Sequence, residues 1–78
     1  MEIIVLGTGC AKCGEVYATI QAVIDEEHLQ ATLLKEEDMG KILSYQVLTL
    51  PAVVVNGKVK LKGIVPTKEQ IRKILKEA

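Results

Sequence analysis

The 78-residue sequence contains no Trp and no Phe, and its aromatic side chains are limited to two Tyr residues. It also has only two Cys, which excludes a framework of several structural disulfides. Large aromatic side chains therefore cannot anchor the core. The hydrophobic residues, 49% of the chain and mostly Ile, Leu, Val and Ala, must supply it instead. A chain of this length forms one small domain, which we assign to residues 1–78.

The sequence also lacks an excess of charge, since ten Lys and Arg balance ten Asp and Glu. A nucleic-acid-binding domain is expected to carry a basic excess, so we expect no nucleic-acid partner. The apolar runs are too short to span a bilayer, so we expect no membrane association. Met1 leads directly into a strand pattern without the features of a signal peptide, which favours a cytoplasmic location.

The first half of the chain predicts two strands and two helices. The β-branched apolar run at 2–6 predicts a strand covered on both faces. Apolar residues at helical spacing predict a helix from Ala11 to about Glu27, with Cys13 on its inward face. A second strand is predicted at Gln30–Lys35, and a short helix at Met39–Tyr45 with Asp38 as its N-cap.

The second half predicts a hairpin and a terminal helix. Pro51 precedes the strand Ala52–Val55, and Asn56-Gly57 is typical of a type I′ turn. The return strand, Lys58–Lys62, alternates Lys with apolar residues, so we expect one face to be solvated and the strand to lie at an edge. Thr67–Gln70 matches a capping box at the start of the last helix.

The resulting order is β-α-β-α-β-β-α. This order predicts an α/β domain whose four-stranded mixed sheet carries helices on both faces.

The two cysteines lie three positions apart, in Cys10-Ala11-Lys12-Cys13, between the first strand and the first helix. This spacing allows either a reversible disulfide or a two-thiolate clamp for a soft metal ion. A thiol at a helix N-terminus faces unpaired N–H groups and the positive end of the helix dipole. We therefore expect the pKa of Cys10 to lie below the ordinary value of about 8.5.

The redox interpretation gives the two cysteines different roles. Cys10, at the start of the helix, is expected to attack a disulfide of a partner. Cys13, one turn further and more buried, is expected to resolve the resulting mixed disulfide.

The alternative function is that of a metallochaperone binding a soft ion such as Cu(I). Such domains run β-α-β-β-α-β and usually carry Met where this chain has Thr8, so the element order argues against them. A structural zinc site needs four ligands, and only Cys10, Cys13 and the distant His28 are available. We therefore expect no bound metal.

The segments Gly7–Cys13 and Thr49–Gly57 resemble the small thioredoxin- and glutaredoxin-like "redox-active disulfide" proteins of archaea and bacteria. The resemblance covers essentially the whole chain. It implies a thioredoxin-like fold with Cys10 as nucleophile, Cys13 as resolving thiol and Pro51 in cis. It also implies that the backbone at Leu50 pairs with the substrate polypeptide. The residues around the cysteines, Thr8, Gly9, Ala11 and Lys12, are expected to contact the substrate.

The chain departs from full thioredoxins at three positions. Gly9 and Lys12 stand where thioredoxin has Trp and Pro around its cysteines. Ile4 stands where thioredoxin has a buried Asp that handles the proton of the resolving thiol. The residues with which true glutaredoxins bind glutathione are not evident either.

The resemblance also implies the partners. A thioredoxin-like electron carrier reduces a disulfide-containing target protein and is recharged by a reductase like thioredoxin reductase. We expect a monomer whose only redox group is the reversible Cys10–Cys13 disulfide, with no further cofactor.

Overall fold

A computed structural model describes residues 1–7 and 11–77, and for Ala11 and Lys12 the backbone alone. It contains four strands and three helices in the predicted order: β1 (Glu2–Leu6), α1 (Ala11–Glu26), β2 (Thr32–Glu36), α2 (Met39–Ser44), β3 (Ala52–Val55), β4 (Lys58–Lys62) and α3 (Lys68–Glu77). The predicted element order is therefore confirmed.

The four strands form one mixed sheet in the order β2-β1-β3-β4. Strand β1 pairs parallel with β2 and antiparallel with β3, which in turn pairs antiparallel with β4. The central position of β1 explains its continuous apolar sequence, because both of its faces are covered. Ile3 and Leu6 are fully buried, on opposite faces of the sheet.

Each face of the sheet carries its own core cluster. The larger cluster joins β1 and β3 to the inward faces of α1 and α3, and its buried members are Ile3, Val5, Val16, Ile20, Val23, Ile24, Val53, Val55, Ile71 and Leu75. The smaller cluster lies on the face that α2 covers, and its buried members are Leu6, Ile42, Val47, Ala52 and Val54. Helices therefore lie on both faces, as the sequence predicts.

Side-chain caps begin the two helices for which the sequence predicts them. The Asp38 carboxylate accepts hydrogen bonds from the N–H groups of Gly40 and Lys41, at 2.8 and 3.2 Å. In α3, the Gln70 N–H donates to Thr67 Oγ1 at 3.3 Å, and the Thr67 N–H donates to Gln70 Oε1 at 2.8 Å. These bonds satisfy N–H groups that have no partner inside a helix.

The turn between β3 and β4 has the predicted type I′ geometry. Asn56 and Gly57 have φ angles of 50° and 82°, and a positive φ is readily adopted by these two residue types. Asn56 also joins the hairpin to the central strand. Its N–H donates to the Glu2 carbonyl at 2.8 Å, and its side-chain oxygen accepts from the Glu2 N–H at 2.9 Å.

The prediction that β4 alternates strictly is wrong. Leu61 pairs with Val53 and packs against the larger cluster, whereas Val59 pairs with Val54 and packs against the smaller one. The pairing leaves Lys60 as one extra residue between these two pairs, which is a β-bulge. Because the bulge shifts the alternation by one residue, the two apolar side chains of β4 lie on opposite faces.

The end of α1 differs slightly from the prediction. His28 adopts a φ of 52°, and the Leu29 N–H donates to the Ile24 carbonyl at 3.0 Å. These features form a left-handed C-terminal cap that ends the helix at Glu26. The cap and its following residues delay β2, which begins at Thr32 rather than at Gln30.

The C-terminal end of α1 is joined to α3 by ion pairs. Glu26 contacts Lys68 Nζ at 2.6 Å and Arg72 Nη2 at 3.0 Å. Glu27 contacts Arg72 Nε at 3.3 Å and Lys76 Nζ at 3.9 Å. The hydrogen bond from Lys68 is the main reason why the pKa of Glu26 lies below its ordinary value, and partial loss of hydration opposes this effect.

This lowered pKa predicts a pH-dependent contribution of Glu26 to stability. Because the folded state favours the ionised carboxyl, the contribution is present above the ordinary glutamate pKa and is lost as the pH falls through the lowered one. Chemical unfolding should show wild type more stable than Glu26→Gln at neutral pH, with the difference vanishing in acid. The difference should also shrink in 1 M salt, where charges are screened over about 3 Å. A difference independent of pH and salt would contradict the prediction.

Candidate active site

The candidate site lies at the end of the sheet where β1 finishes and β3 begins. Leu6 of β1 pairs with Ala52 of β3 in antiparallel register. The next residues outward, Gly7 and Pro51, therefore lie at the same end of the sheet. Helix α1 begins at Ala11, four positions after Gly7, so its first turn starts from this end as well.

Cys13 lies in the first turn of α1 and is fully buried. The prediction that it belongs to the inward face of the helix is confirmed. Its sulfur packs against the backbone at Gly7, so closely that a Cβ atom added to Gly7 would overlap Cys13 Sγ. Cys13, the predicted resolving thiol, is therefore held between α1 and the end of β1.

Gly7 continues the pairing of the central strand beyond Leu6. Its N–H donates to the Glu36 carbonyl at 3.1 Å, which extends the pairing of β1 with β2 by one residue. Gly7 is buried, and it is not among the described residues with a positive φ. Space beside Cys13, rather than backbone conformation, thus accounts for the absence of a side chain there.

The Leu50–Pro51 peptide bond is cis, as the resemblance implies. Pro51 is buried, and its carbonyl accepts a hydrogen bond from the Gly63 N–H at 2.8 Å. Leu50 is partly buried and packs against the smaller core cluster. The segment before β3 is therefore tied to the end of β4.

Gly63 is a residue of this region that the sequence did not single out. Its φ is 74°, and a Cβ added there would lie 3.2 Å from Thr49 Oγ1. It therefore permits the close approach of the segment after β4 to the segment before Pro51. A lone glycine after a strand is compatible with many turns, so the sequence pattern carried no signal for this contact.

Exposed apolar side chains occur in the two segments that meet here. Leu48, three positions before Pro51, is 89% exposed. Ile64 and Val65, which follow Gly63, are 46% and 39% exposed. We call these three residues the apolar rim. No sequence pattern indicates the rim, because its members lie outside the periodic patterns of the helices and strands.

Comparison with known proteins agrees with this geometry. Residues 1–76 match the family model described as a thioredoxin domain. The chain belongs to the thioredoxin family. A thioredoxin of Methanothermobacter thermautotrophicus is 36% identical over 75 residues, which cover 96% of this chain and 97% of the relative. A thioredoxin of Methanocaldococcus jannaschii is 30% identical over 72 residues, which cover 92% of this chain and 83% of the relative.

Membership of the thioredoxin family confirms the resemblance and the fold class that the sequence implied. At the level of the family, the activity is thiol–disulfide oxidoreduction. The observed order, with its terminal α3, also differs from the β-α-β-β-α-β order expected of a metallochaperone.

Several predicted site residues of this thioredoxin-family chain lie outside the described residues. They are Thr8, Gly9 and Cys10, together with the side chains of Ala11 and Lys12. Their roles as nucleophile and substrate contacts stay predictions. Cys13, Leu50 and Pro51 are the predicted site residues that the structure describes.

The core of this thioredoxin-family chain is apolar across the residues that the structure describes. No charged or polar side chain is buried among the described residues. Ile4, at the position where full thioredoxins have Asp, is partly buried and packs against the smaller cluster. Tyr17, four positions after Cys13, packs against the larger cluster.

Two further observations concern metals and membranes. Across residues 1–7 and 11–77, no cluster of three or more His, Cys, Asp or Glu side chains could hold a metal ion. None of the helices described above is long and apolar enough to cross a membrane.

Proposed function

We propose that this chain is a protein-disulfide reductant that works through the Cys10–Cys13 pair. The observation that carries the proposal is the burial of Cys13 against Gly7, at the end of the sheet where β3 begins after Pro51. In the proposal, Cys13 is the resolving thiol, and the segment before Pro51 binds an extended polypeptide. Membership of the thioredoxin family supports the same chemistry.

The reaction proceeds in two exchange steps. The Cys10 thiolate attacks one sulfur of the target disulfide, so that a Cys10–target disulfide forms and the other target sulfur leaves as a thiolate. The Cys13 thiolate then attacks Cys10 Sγ, which forms the Cys10–Cys13 disulfide and releases the second target sulfur. Two electrons pass to the target, and its two thiolates take up protons from water.

The target polypeptide binds in extended form beside Leu50, whose backbone precedes the cis peptide bond. The apolar rim, Leu48, Ile64 and Val65, is exposed on the segments that meet at Pro51 and suits apolar side chains of the target. Thr8, Gly9, Ala11 and Lys12 complete the contacts around Cys10. The rim gives the site a preference for disulfides that become accessible in flexible or partly unfolded segments.

The physiological partners follow from this chemistry. A disulfide-containing target protein takes the electrons, and a reductase of the thioredoxin-reductase kind supplies them. The chain acts in the cytoplasm, as a monomer, with no cofactor beyond its own Cys10–Cys13 disulfide.

The proposal is tested by single-turnover reduction of a protein disulfide with the prereduced chain. We expect one target disulfide to be reduced per chain, with the Cys10–Cys13 disulfide formed in equal amount, as thiol counting and mass spectrometry would show. The double variant Cys10→Ser/Cys13→Ser is the control and should reduce nothing. A wild-type chain that stays reduced in the presence of excess target would overturn the proposal.

A Cu(I) titration of the reduced chain separates this function from the metallochaperone alternative. Two thiolates are suitable ligands for Cu(I), so weak binding is compatible with a reductant. Tight one-to-one binding together with absence of disulfide exchange would favour the metallochaperone instead.

A further inference from the structure

We infer that Gly7 is a positioning residue for the resolving step, which it controls by leaving room for the sulfur of Cys13. The inference rests on the proposed function, since it concerns the second exchange step. Gly7 contacts Cys13 directly. This contact determines how readily the sulfur of Cys13 can reach the sulfur of Cys10.

The contact between Gly7 and Cys13 is the tightest glycine environment among the described residues. A Cβ added to Gly7 would overlap Cys13 Sγ and would lie 3.0 Å from Cys13 Cβ. Real Cβ atoms essentially never approach another atom so closely, so one of the two residues would have to move. Both atoms belong to the short side chain of Cys13, which cannot swing away as the end of a lysine could.

Gly7 itself is prevented from moving by the sheet. Its N–H donates to the Glu36 carbonyl at 3.1 Å, and the preceding Leu6 pairs with Glu36 on one side and Ala52 on the other. A shift of Gly7 would weaken these contacts of the central strand. The strain of an added methyl group therefore falls on Cys13 and the first turn of α1.

Movement of Cys13 affects the two exchange steps differently. The first step needs only Cys10 and the target, so it does not require the close packing of Cys13. The second step needs Cys13 Sγ to meet Cys10 Sγ in line with the target sulfur, and small displacements are costly in such reactions. A side chain at Gly7 should therefore slow resolution selectively.

The chain offers a matched control for this substitution. Gly14 follows Cys13 in the same turn of α1 and is exposed, and a Cβ added there would meet no atom within 4 Å beyond its chain neighbours and the helix backbone. Gly14→Ala thus adds the same methyl group one residue after Cys13, at an exposed position of the helix. Any effect common to both variants reflects the helix rather than the contact at Gly7.

The experiment follows both steps in wild type, Gly7→Ala and Gly14→Ala by rapid mixing with a disulfide substrate and acid quenching. For Gly7→Ala we expect a first step within about threefold of wild type, a second step slowed at least about tenfold, and a visible mixed disulfide. The stability of the Cys10–Cys13 disulfide should fall by a similar factor, and a tenfold fall raises the reduction potential by about 30 mV. Gly14→Ala should behave as wild type. Equal slowing of both steps, or no slowing of the second, would overturn the inference.

A double-mutant cycle tests the contact without reference to the reaction. We expect Gly7→Ala to destabilise the wild-type chain more than it destabilises the Cys13→Ala variant, because the clash with Sγ is then absent. A Gly7→Ala variant that folds only together with Cys13→Ala would support the inference in the same way. Equal costs in both backgrounds would contradict it.

The two proposals fail in different ways. If Cys13→Ser forms a lasting adduct but Gly7→Ala resolves at the wild-type rate, the inference about Gly7 is wrong and the proposed function stands. If no mixed disulfide forms with any variant, the proposed function is wrong. The double-mutant cycle still decides whether the contact between Gly7 and Cys13 exists.

Discussion

Replacing Cys13 with Ser is expected to turn the chain into a trap that stays covalently attached to its disulfide target. The Cys10 thiolate can still attack the target and form the mixed disulfide. Serine cannot carry out the second step, because its hydroxyl is a far weaker nucleophile than a thiolate. The adduct should therefore approach one target per chain, whereas wild type should release its target within the same time.

The variant Cys10→Ser is the control that shows which of the two cysteines attacks the target first. Cys13 is fully buried in the first turn of α1, so it is a poor first nucleophile towards a protein disulfide. We therefore expect Cys10→Ser to form no adduct and to lose reductase activity altogether. Non-reducing electrophoresis and intact-mass measurement distinguish these outcomes. An adduct with Cys10→Ser, or none with Cys13→Ser, would show that the assigned roles are wrong.

Replacing Ile20 with Ala is expected to lower the free energy of unfolding by about 2–5 kcal/mol, the largest change in stability that we predict. Ile20 is fully buried in the larger core cluster, between α1 and the sheet. Alanine is the best helix former, so the substitution does not weaken α1 itself. The loss reflects the missing side chain and the cavity that it leaves.

This loss is large for such a small domain. At about 0.05–0.15 kcal/mol per residue, a chain of 78 residues has a total stability of roughly 4–12 kcal/mol. Ile20→Ala should therefore unfold a substantial fraction of the protein at moderate temperature, as denaturant titration would show. Leu48→Ala is the matched control, since Leu48 is 89% exposed and its loss should cost less than about 0.5 kcal/mol. Similar costs for the two variants would contradict the assignment of the core.

Local signals in the sequence were sufficient for most of the fold. The Asn56-Gly57 turn, the Asp38 cap and the capping box at Thr67 were all predicted, because each depends on the residues of one short segment. The continuous apolar run of β1 likewise predicted a strand covered on both faces. The order of these elements predicted an α/β domain, and the resemblance to small thioredoxin-like proteins implied the thioredoxin-like fold.

The bulge in β4 is a feature that local signals in the sequence do not predict. The pattern of Lys58–Lys62 is a clean alternation, yet Val59 and Leu61 pack on opposite faces of the sheet. Whether an extra residue is inserted depends on how β4 pairs with β3, and this pairing is a property of two strands together. An alternating sequence is compatible with both arrangements.

The features of the candidate site likewise divide into those that the sequence determines and those that depend on the tertiary structure. By itself, the sequence determined the two cysteines, their spacing, the proline before β3 and the helix that carries Cys13, because these are properties of residue type and local periodicity. The tertiary structure decided that Gly7 must lack a side chain and that the Gly63 N–H binds the Pro51 carbonyl. These are contacts between segments far apart in the chain, and they form only when the ends of β1, β3 and β4 are brought to one end of the sheet.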